Sequence, residues 1–243
     1  LSGVQNVDSG IGCYAGSHDS YKVFAPLMDK VIEEYHGVKK GDKHTSDMDH
    51  EALLEFIKAN PISEEDQKMI RSTRVRVGRN LADFPLGPGC TKEQRAAVES
   101  RVVDACKTFE GDLAGTYYSL ASLGEEQRKQ LIADHFLFKE GDRFLEACGL
   151  NRDWPANRGI FPHDAKNFLI WVNEEDQLRI ISMQDGANIG EVFARLAKAA
   201  KHIEGVAKGF AHDNELGYIT SCPTNLGTAL RASVHIQLPL LGA

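Results

Sequence analysis

Asn173-Glu174-Glu175-Asp176-Gln177-Leu178-Arg179 sets three acids and an arginine between two apolar runs. Phe168–Val172 and Leu178–Met183 are short and rich in β-branched and aromatic residues, which predicts two strands with the acids at the mouth of a hairpin. Two readings are open for Glu174 and Asp176: an exposed turn carries acids for solubility alone, or the acids face a ligand. Arg179 is harder to assign to the surface, because a charge inside an apolar strand requires a partner or a polar cleft.

Further arginines fall on strand-like stretches. Ser72–Arg79 alternates polar and apolar residues, with Arg74 and Arg76 on its polar side. In Arg231–Leu238, the residues Arg231, Ser233, His235 and Gln237 alternate with Ala232, Val234, Ile236 and Leu238, which predicts one packed face and one polar face. Guanidiniums gathered in one cleft repel one another unless an anion neutralises them, and their forks grip phosphate oxygens bidentately. A polyphosphate meets that need; the alternative is a separate surface carboxylate for each arginine, such as Glu174 or Asp185. The chain has no GxxxxGK[ST] loop, no GxGxxG ahead of a helix and no HRD or DFG set, so the positive charge must come from side chains.

The elements that position these residues follow from periodicity. Val23, Phe24, Leu27, Val31, Ile32 and Tyr35 predict a helix from Tyr21, stopped by Gly37. Residues 38–68 are polar and read as a linker with one short helix at Glu51–Ala59; His44 and His50 within it lack zinc-like spacing. Thr91-Lys92-Glu93-Gln94 is a capping box for a helix carrying Val98, Val102, Ala105 and Phe109 and ended by Gly111. Ser122-Leu123-Gly124-Glu125 reads as a second box, opening a helix towards His135. Ile189, Val192, Phe193, Leu196, Ala200, Ile203 and Val206 give a strongly amphipathic helix closed by Gly209. Gly217–Cys222 reads as a strand leading into the loop Pro223–Thr228. Asp8–Gly12 is a glycine-bearing loop whose backbone can approach a ligand closely.

A chain of 243 residues suffices for one large domain, or a large domain with a small one attached. A net charge of -7 argues against general nucleic-acid binding, and no apolar run approaches the ~20 residues of a membrane helix. Neither nucleic acid nor membrane is therefore an expected partner, and with no signal-peptide pattern the expected location is cytoplasmic. Cys13, Cys90, Cys106, Cys148 and Cys222 are odd in number and contain no CxxC pair, which indicates a reducing compartment without a disulfide framework or zinc site.

Ser72–Arg79, Asn173–Met183, Arg152-Asp153-Trp154-Pro155 with Arg158-Gly159-Ile160, and Cys222–Thr228 with Arg231–His235 closely resemble the phosphagen kinases, the ATP:guanidino phosphotransferases. The resemblance covers nearly the whole chain. Asp8–Tyr14 and Lys139–Leu145 are similar to the arginine-phosphorylating branch, whereas Gly12–Gly16 and Lys43–Asp47 lean towards the creatine branch.

What the resemblance implies is an α+β fold: a small α-helical N-terminal domain, present in part over residues 1–37, a linker over 38–68, and a larger catalytic domain over 69–243 with an antiparallel sheet flanked by helices. It implies reversible transfer of the γ-phosphoryl group of MgATP to the guanidino group of L-arginine, giving phosphoarginine and ADP. Creatine or taurocyamine as acceptor, or a truncated and weakly active nucleotide-binding relative, are the alternatives. Arg74, Arg76, Arg179 and Arg231 match phosphate-binding arginines, and His135 and His235 match nucleotide-contacting positions. Glu175 matches the carboxylate that clamps the guanidinium and can accept its proton; Cys222 matches the reactive cysteine beside it. A thiolate at Cys222 requires a lowered pKa, which the Thr224 hydroxyl and a cationic substrate could supply; without that, Cys222 is a small buried hydrophobe. Gly10, Ile11 and Gly12, with Tyr14, match the loop that receives the amino-acid end of the substrate. Mg²⁺ is expected to arrive with ATP, held by phosphates and water rather than by protein ligands. Gln177 stands where many relatives carry His. Relatives continue beyond a strand equivalent to Arg231–Leu238, so the chain is expected to be a fragment at both ends.

Overall fold

The structure is a computed structural model that describes residues 1–239; residues 240–243, the end of the segment expected to be catalytic, lie outside the described residues. The chain opens with α1 (Ser2–Gln5), α2 (Ser20–Val23), α3 (Ala25–His36), α4 (His50–Ala59) and α5 (Glu64–Met69). Strands and helices then interleave: β1 (Ile70–Arg79), α6 (Lys92–Cys106), β2 (Tyr118–Ser119), α7 (Glu125–Ala133), α8 (Arg143–Ala147), β3 (Gly159–Pro162), β4 (Phe168–Val172), β5 (Leu178–Asp185), α9 (Ile189–Val206), β6 (His212–Asp213), β7 (Gly217–Tyr218) and β8 (Leu230–Ile236).

Six strands form one sheet in the order β2-β3-β4-β5-β1-β8, every pair antiparallel, and β6 and β7 make a separate hairpin. Because side chains alternate across a strand, β1 serves two purposes. Val75 and Val77 point with Ile180 and Leu178 of β5 into a core closed by α6 and α9, where Val98, Val102, Val192, Leu196 and Ile203 are fully buried. Each such side chain contributes about 1.5–3 kcal/mol through removal of apolar surface from water. The opposite face of the same strands carries the arginines. α9 is the predicted amphipathic helix, its N-terminus capped by the Asn188 side chain, which accepts from Glu191 N. α6 forms the predicted capping box with both bonds present.

Several expectations change. The predicted helix from Tyr21 is broken at Phe24, ahead of Pro26, and buries Tyr21, Met28 and Ile32; Val23, Phe24, Leu27 and Tyr35 are exposed. Proline lacks an N–H, so it starts a helix more readily than it continues one. Residues 38–68 hold a second helix, α5, capped by Ser63, and α4 docks on α9 where Gly190 leaves room for Leu54 and Ile57. The second capping box does not form: Ser122 Oγ donates to the Ser119 carbonyl and Gly124 occupies the cap of α7. Only Gly217–Tyr218 of the predicted Gly217–Cys222 strand is regular. In β8 the packed face expected for Ala232, Val234 and Ile236 is absent among the described residues; both faces are exposed because β8 is an edge strand with nothing laid over it.

The N-terminal segment packs closely against two loops of the larger unit. Ala15 N donates to the Ser221 carbonyl (2.7 Å), and a Cβ on Gly89 would fall 1.9 Å from the Gly16 carbonyl oxygen. Backbone cannot retreat as a flexible side chain can, so Gly89→Ala is expected to destabilise the protein by about 1–3 kcal/mol. The test is the midpoint of chemical denaturation; an unchanged midpoint would show that residues 15–16 are not held against Gly89.

Candidate active site

On β1, Arg76 stands opposite Arg231 of β8 and Arg74 opposite Ser233, while Gly78 stands opposite Arg179 of β5. Cross-strand partners share a face, so Arg74, Arg76, Arg179 and Arg231 all project to the side away from the core. Burial, then Arg179 and Arg231, push the Arg74 guanidinium below its usual pKa. Arg76 is pushed down to about 10, by burial first and then by Arg179, Arg74 and Arg231. Among the described residues no carboxylate lies within 4.0 Å of Arg74, Arg76 or Arg231; only Arg179 is ion-paired. Half-buried cations that destabilise one another are a fitting cradle for a polyphosphate.

The acid hairpin meets this face edge-on. Asn173 takes a left-handed conformation (φ 58°), and its amide donates to the carbonyls of Arg95 and Asn157. Arg158 and Arg152 of the recognised motif hold the surrounding turns by donating to backbone carbonyls, among them Leu150 and Cys90, and Arg95 pairs with Asp153 at 3.1 Å. Arg179 Nη1 donates to Glu174 Oε1 (3.1 Å), and Nη2 lies 2.9 Å from Glu174 Oε2 and 3.3 Å from Glu175 Oε2. The guanidinium also stands 5.3 Å from the Trp171 ring centroid. Glu175 is raised to about 7, by burial first and then by Asp176 and Glu174, with Arg179 and Arg76 opposing. Asp176 is not a turn acid at all. It is buried, and its Oδ1 accepts from Asn80 Nδ2 and from Ser221 N, both at 2.8 Å. Burial raises its pKa against those two bonds.

Cys222 and the N-terminal loop close the far side. Cys222 is buried, with Sγ 3.1 Å from Thr224 Oγ1. Asn225 Nδ2 donates to Glu175 Oε1 at 3.4 Å. Gly12 (φ 67°) accepts from Gly3 N through its carbonyl, and Gly12 N donates to Ser9 Oγ. The half-buried Tyr14 hydroxyl has its pKa raised by burial, then by Cys222 and Glu175. A cavity of about 460 Å³ is lined by Arg76, Arg179 and Arg231, by Glu175, Thr224 and Asn225, and by Tyr35 and His36 at the end of α3; Cys222 and the N-terminal loop do not line it.

A family model described as ATP:guanido phosphotransferase, C-terminal catalytic domain, matches residues 97–243, and one described as ATP:guanido phosphotransferase, N-terminal domain, matches residues 1–33. The chain belongs to the ATP:guanido phosphotransferase family. The arginine kinase of Anthopleura japonica is 50% identical over 243 residues, covering 100% of this chain and 33% of that protein. Arginine kinase Lit v 2.0101 of Penaeus vannamei is also 50% identical over 243 residues, 67% of its length. The crystal structure of lombricine kinase superposes with a TM-score of 0.90 at 39% identity, covering 99% of this chain and 66% of that one. The duplicated taurocyamine kinase from Schistosoma mansoni with bound transition state analog components gives 0.87 at 38% identity, covering 99% of this chain and 33% of that one. The chain thus spans between a third and two thirds of the length of these proteins.

Within this phosphotransferase scaffold the expected residues gather unevenly. Glu175, Arg76, Arg179 and Arg231 line one cavity, Arg74 continues its cationic face, and Cys222 and Tyr14 stand behind Glu175. His235 sits farther along β8, its Nδ1 3.2 Å from Ser72 Oγ. His135 is exposed in a left-handed turn (φ 61°), beyond Trp171, whose indole donates to the carbonyl of the next residue, Phe136. Neither histidine lines the cavity. The Cys222 thiol is pushed up to about 11 by burial; the Thr224 bonds pull it down, but burial wins. Asp8 of the N-terminal loop and Arg143 at the start of α8 are ion-paired. Gln177 is buried and uses both ends of its amide, accepting from Leu81 N (2.8 Å) and donating to the Pro85 carbonyl (2.8 Å). Periodicity missed Asn80 and Asn225, whose roles depend on partners 96 and 50 residues away.

The raised Glu175 pKa has a measurable consequence. An unfolded Glu titrates near ~4.3, so below about pH 4 Glu175 is protonated in both states and costs nothing. As pH rises towards 7, the unfolded state ionises first and stability is lost across that window. Glu175→Gln removes the loss. The variant should gain roughly 1–3 kcal/mol over the parent at about pH 8 and nothing at about pH 4. A pH-independent difference in urea unfolding would show Glu175 to be ionised throughout.

Proposed function

We propose that this chain forms the reacting centre of an arginine kinase, transferring the γ-phosphoryl group of MgATP reversibly to the guanidino group of L-arginine to give phosphoarginine and ADP. The observation that carries the reading is the β4–β5 hairpin. It presents Glu175 for a cation and Arg179 for an anion 3.3 Å apart, with Arg76 and Arg231 completing the anion side. Arginine as acceptor is supported by the arginine kinases that are 50% identical over the whole chain; the lombricine and taurocyamine kinases of similar structure stand at 38–39%.

In this reading Arg74, Arg76, Arg179 and Arg231 hold the phosphates, and His135 and His235 contact the nucleotide away from the transferred group. Gly10, Ile11 and Gly12 receive the amino-acid end of arginine through backbone groups, with Tyr14 beside them. Glu175 clamps the guanidinium in its plane, Asn225 steadies that carboxylate, and Cys222 flanks the acceptor. Transfer in line forms the N–P bond as the bond to the ADP oxygen breaks, and Glu175 takes the proton leaving the guanidinium. Burial, Asp176 and Glu174 raise the Glu175 carboxylate, which makes it the more able to accept that proton. Mg²⁺, held by phosphate oxygens and water, supplies charge neutralisation when bound.

The division into 1–37, 38–68 and 69–243 belongs to the same proposal; the two family models, ending at 33 and beginning at 97, support it. A cytoplasmic location is proposed from the five free cysteines. Among the described residues no helix is long and apolar enough to cross a membrane.

A coupled assay with MgATP and L-arginine, creatine or taurocyamine in parallel tests the reading. Turnover should be greatest with L-arginine, and Glu175→Gln should lower it by about 10²–10⁴-fold with little change in ATP affinity. No turnover with any acceptor would overturn the proposal.

A further inference from the structure

The loop Cys222–Gly227 carries the polar groups on the acceptor side: the Cys222 thiol, the Thr224 hydroxyl and the Asn225 amide that reaches Glu175. Its inner side is tied down where Ser221 N donates to Asp176 and Thr220 Oγ1 donates to the Cys222 carbonyl (2.9 Å). Its other side rests on two imidazoles, His36, which also lines the cavity of Arg76, Glu175 and Arg179, and His44, which does not. At the C-terminal end of α3, His36 Nε2 donates to the Pro223 carbonyl at 2.8 Å, closer than the 3.4 Å turn bond the same carbonyl receives from Leu226 N. At the loop's other end the His44 ring lies against Gly227 and Gly217. A Cβ on these glycines would fall 2.9 and 2.8 Å from ring nitrogens, so the two residues, with φ 89° and 70°, form the notch that seats it. His44 N anchors the same stretch by donating to the Asn214 carbonyl (3.0 Å).

A carbonyl only accepts, so His36 carries a proton on Nε2. We propose that His36 and His44 are positioning residues that brace the Cys222–Gly227 loop, setting the reach of Asn225 to Glu175 and the access to Cys222. They act through a backbone carbonyl and two glycines, not on reacting atoms. Both fall between the ranges of the two family models, 1–33 and 97–243. The consequence for turnover rests on the guanidino-kinase reading; the bracing itself does not.

The test is the rate at which iodoacetamide alkylates Cys222, read by peptide mass, with and without L-arginine and alongside thermal melts. His36→Leu keeps much of the volume without a donor, and His36→Gln keeps a donor. Loss of one such hydrogen bond corresponds to about a 2- to 10-fold faster reaction for His36→Leu, with His36→Gln near the parental rate and His44→Ala displaced in the same direction as His36→Leu. A parental rate in His36→Leu, with or without a lower melting temperature, would mark a merely structural contact and overturn the proposal. If His36→Leu does not fold, His44→Ala decides in the same way from the other end of the loop. L-arginine that fails to protect Cys222 in the parent, while His36→Leu and His36→Gln still differ, would sink the guanidino reading and support the brace.

Discussion

The buried carboxylate of Asp176 is the tie on which the site depends. Its Oδ1 accepts from Asn80, just past the end of β1, and from the backbone of Ser221, just before Cys222. Asn80 also accepts from Gln177 N and donates to the Ile219 carbonyl, so three segments far apart in sequence share one hydrogen-bonded knot. Buried polar groups with partners specify a structure strongly, because each lost partner leaves an unsatisfied group costing about 1–3 kcal/mol. Glu175 and Arg179 sit beside this knot, which fixes their separation without their own bonds having to do so.

The charges around the knot are arranged against their own short-range interest. Arginines face arginines across β1 and β8, and Glu174, Glu175 and Asp176 follow one another in the chain. Burial raises the cost of both groupings, and the Arg179 pairs with Glu174 and Glu175 relieve only part of it. An anion on one side and a cation on the other would complete the neutralisation, and a site that needs both reactants for balance discriminates against either alone.

What could be read from the sequence was what period and local chemistry encode. The alternation of Ser72–Arg79 and the box at Thr91–Gln94 both specify their own structure, and the sheet face bearing the arginines followed from them. Local reading failed where a second partner decided the outcome. The Ser122 hydroxyl satisfies the Ser119 carbonyl instead of capping a helix, and Asp176 looks like its exposed neighbours until Asn80 and Ser221 arrive to bury it. Cys222 shows the same limit in energetic form: the Thr224 bond has the expected sign, but burial, which no short motif reports, outweighs it.

The place of β1 in the sheet bears on how the molecule comes into being. Both of its neighbours, β5 and β8, lie downstream, the first beginning at Leu178 and the second at Leu230. At ~5–20 residues per second, synthesis of the ~100 residues between β1 and β5 takes roughly 5–20 s. During that interval Val75 and Val77 have no sheet to join, and closing so long a loop is slow by nature. The alternating arginines Arg74 and Arg76 would meanwhile keep the nascent strand soluble and poorly suited to pairing with a copy of itself.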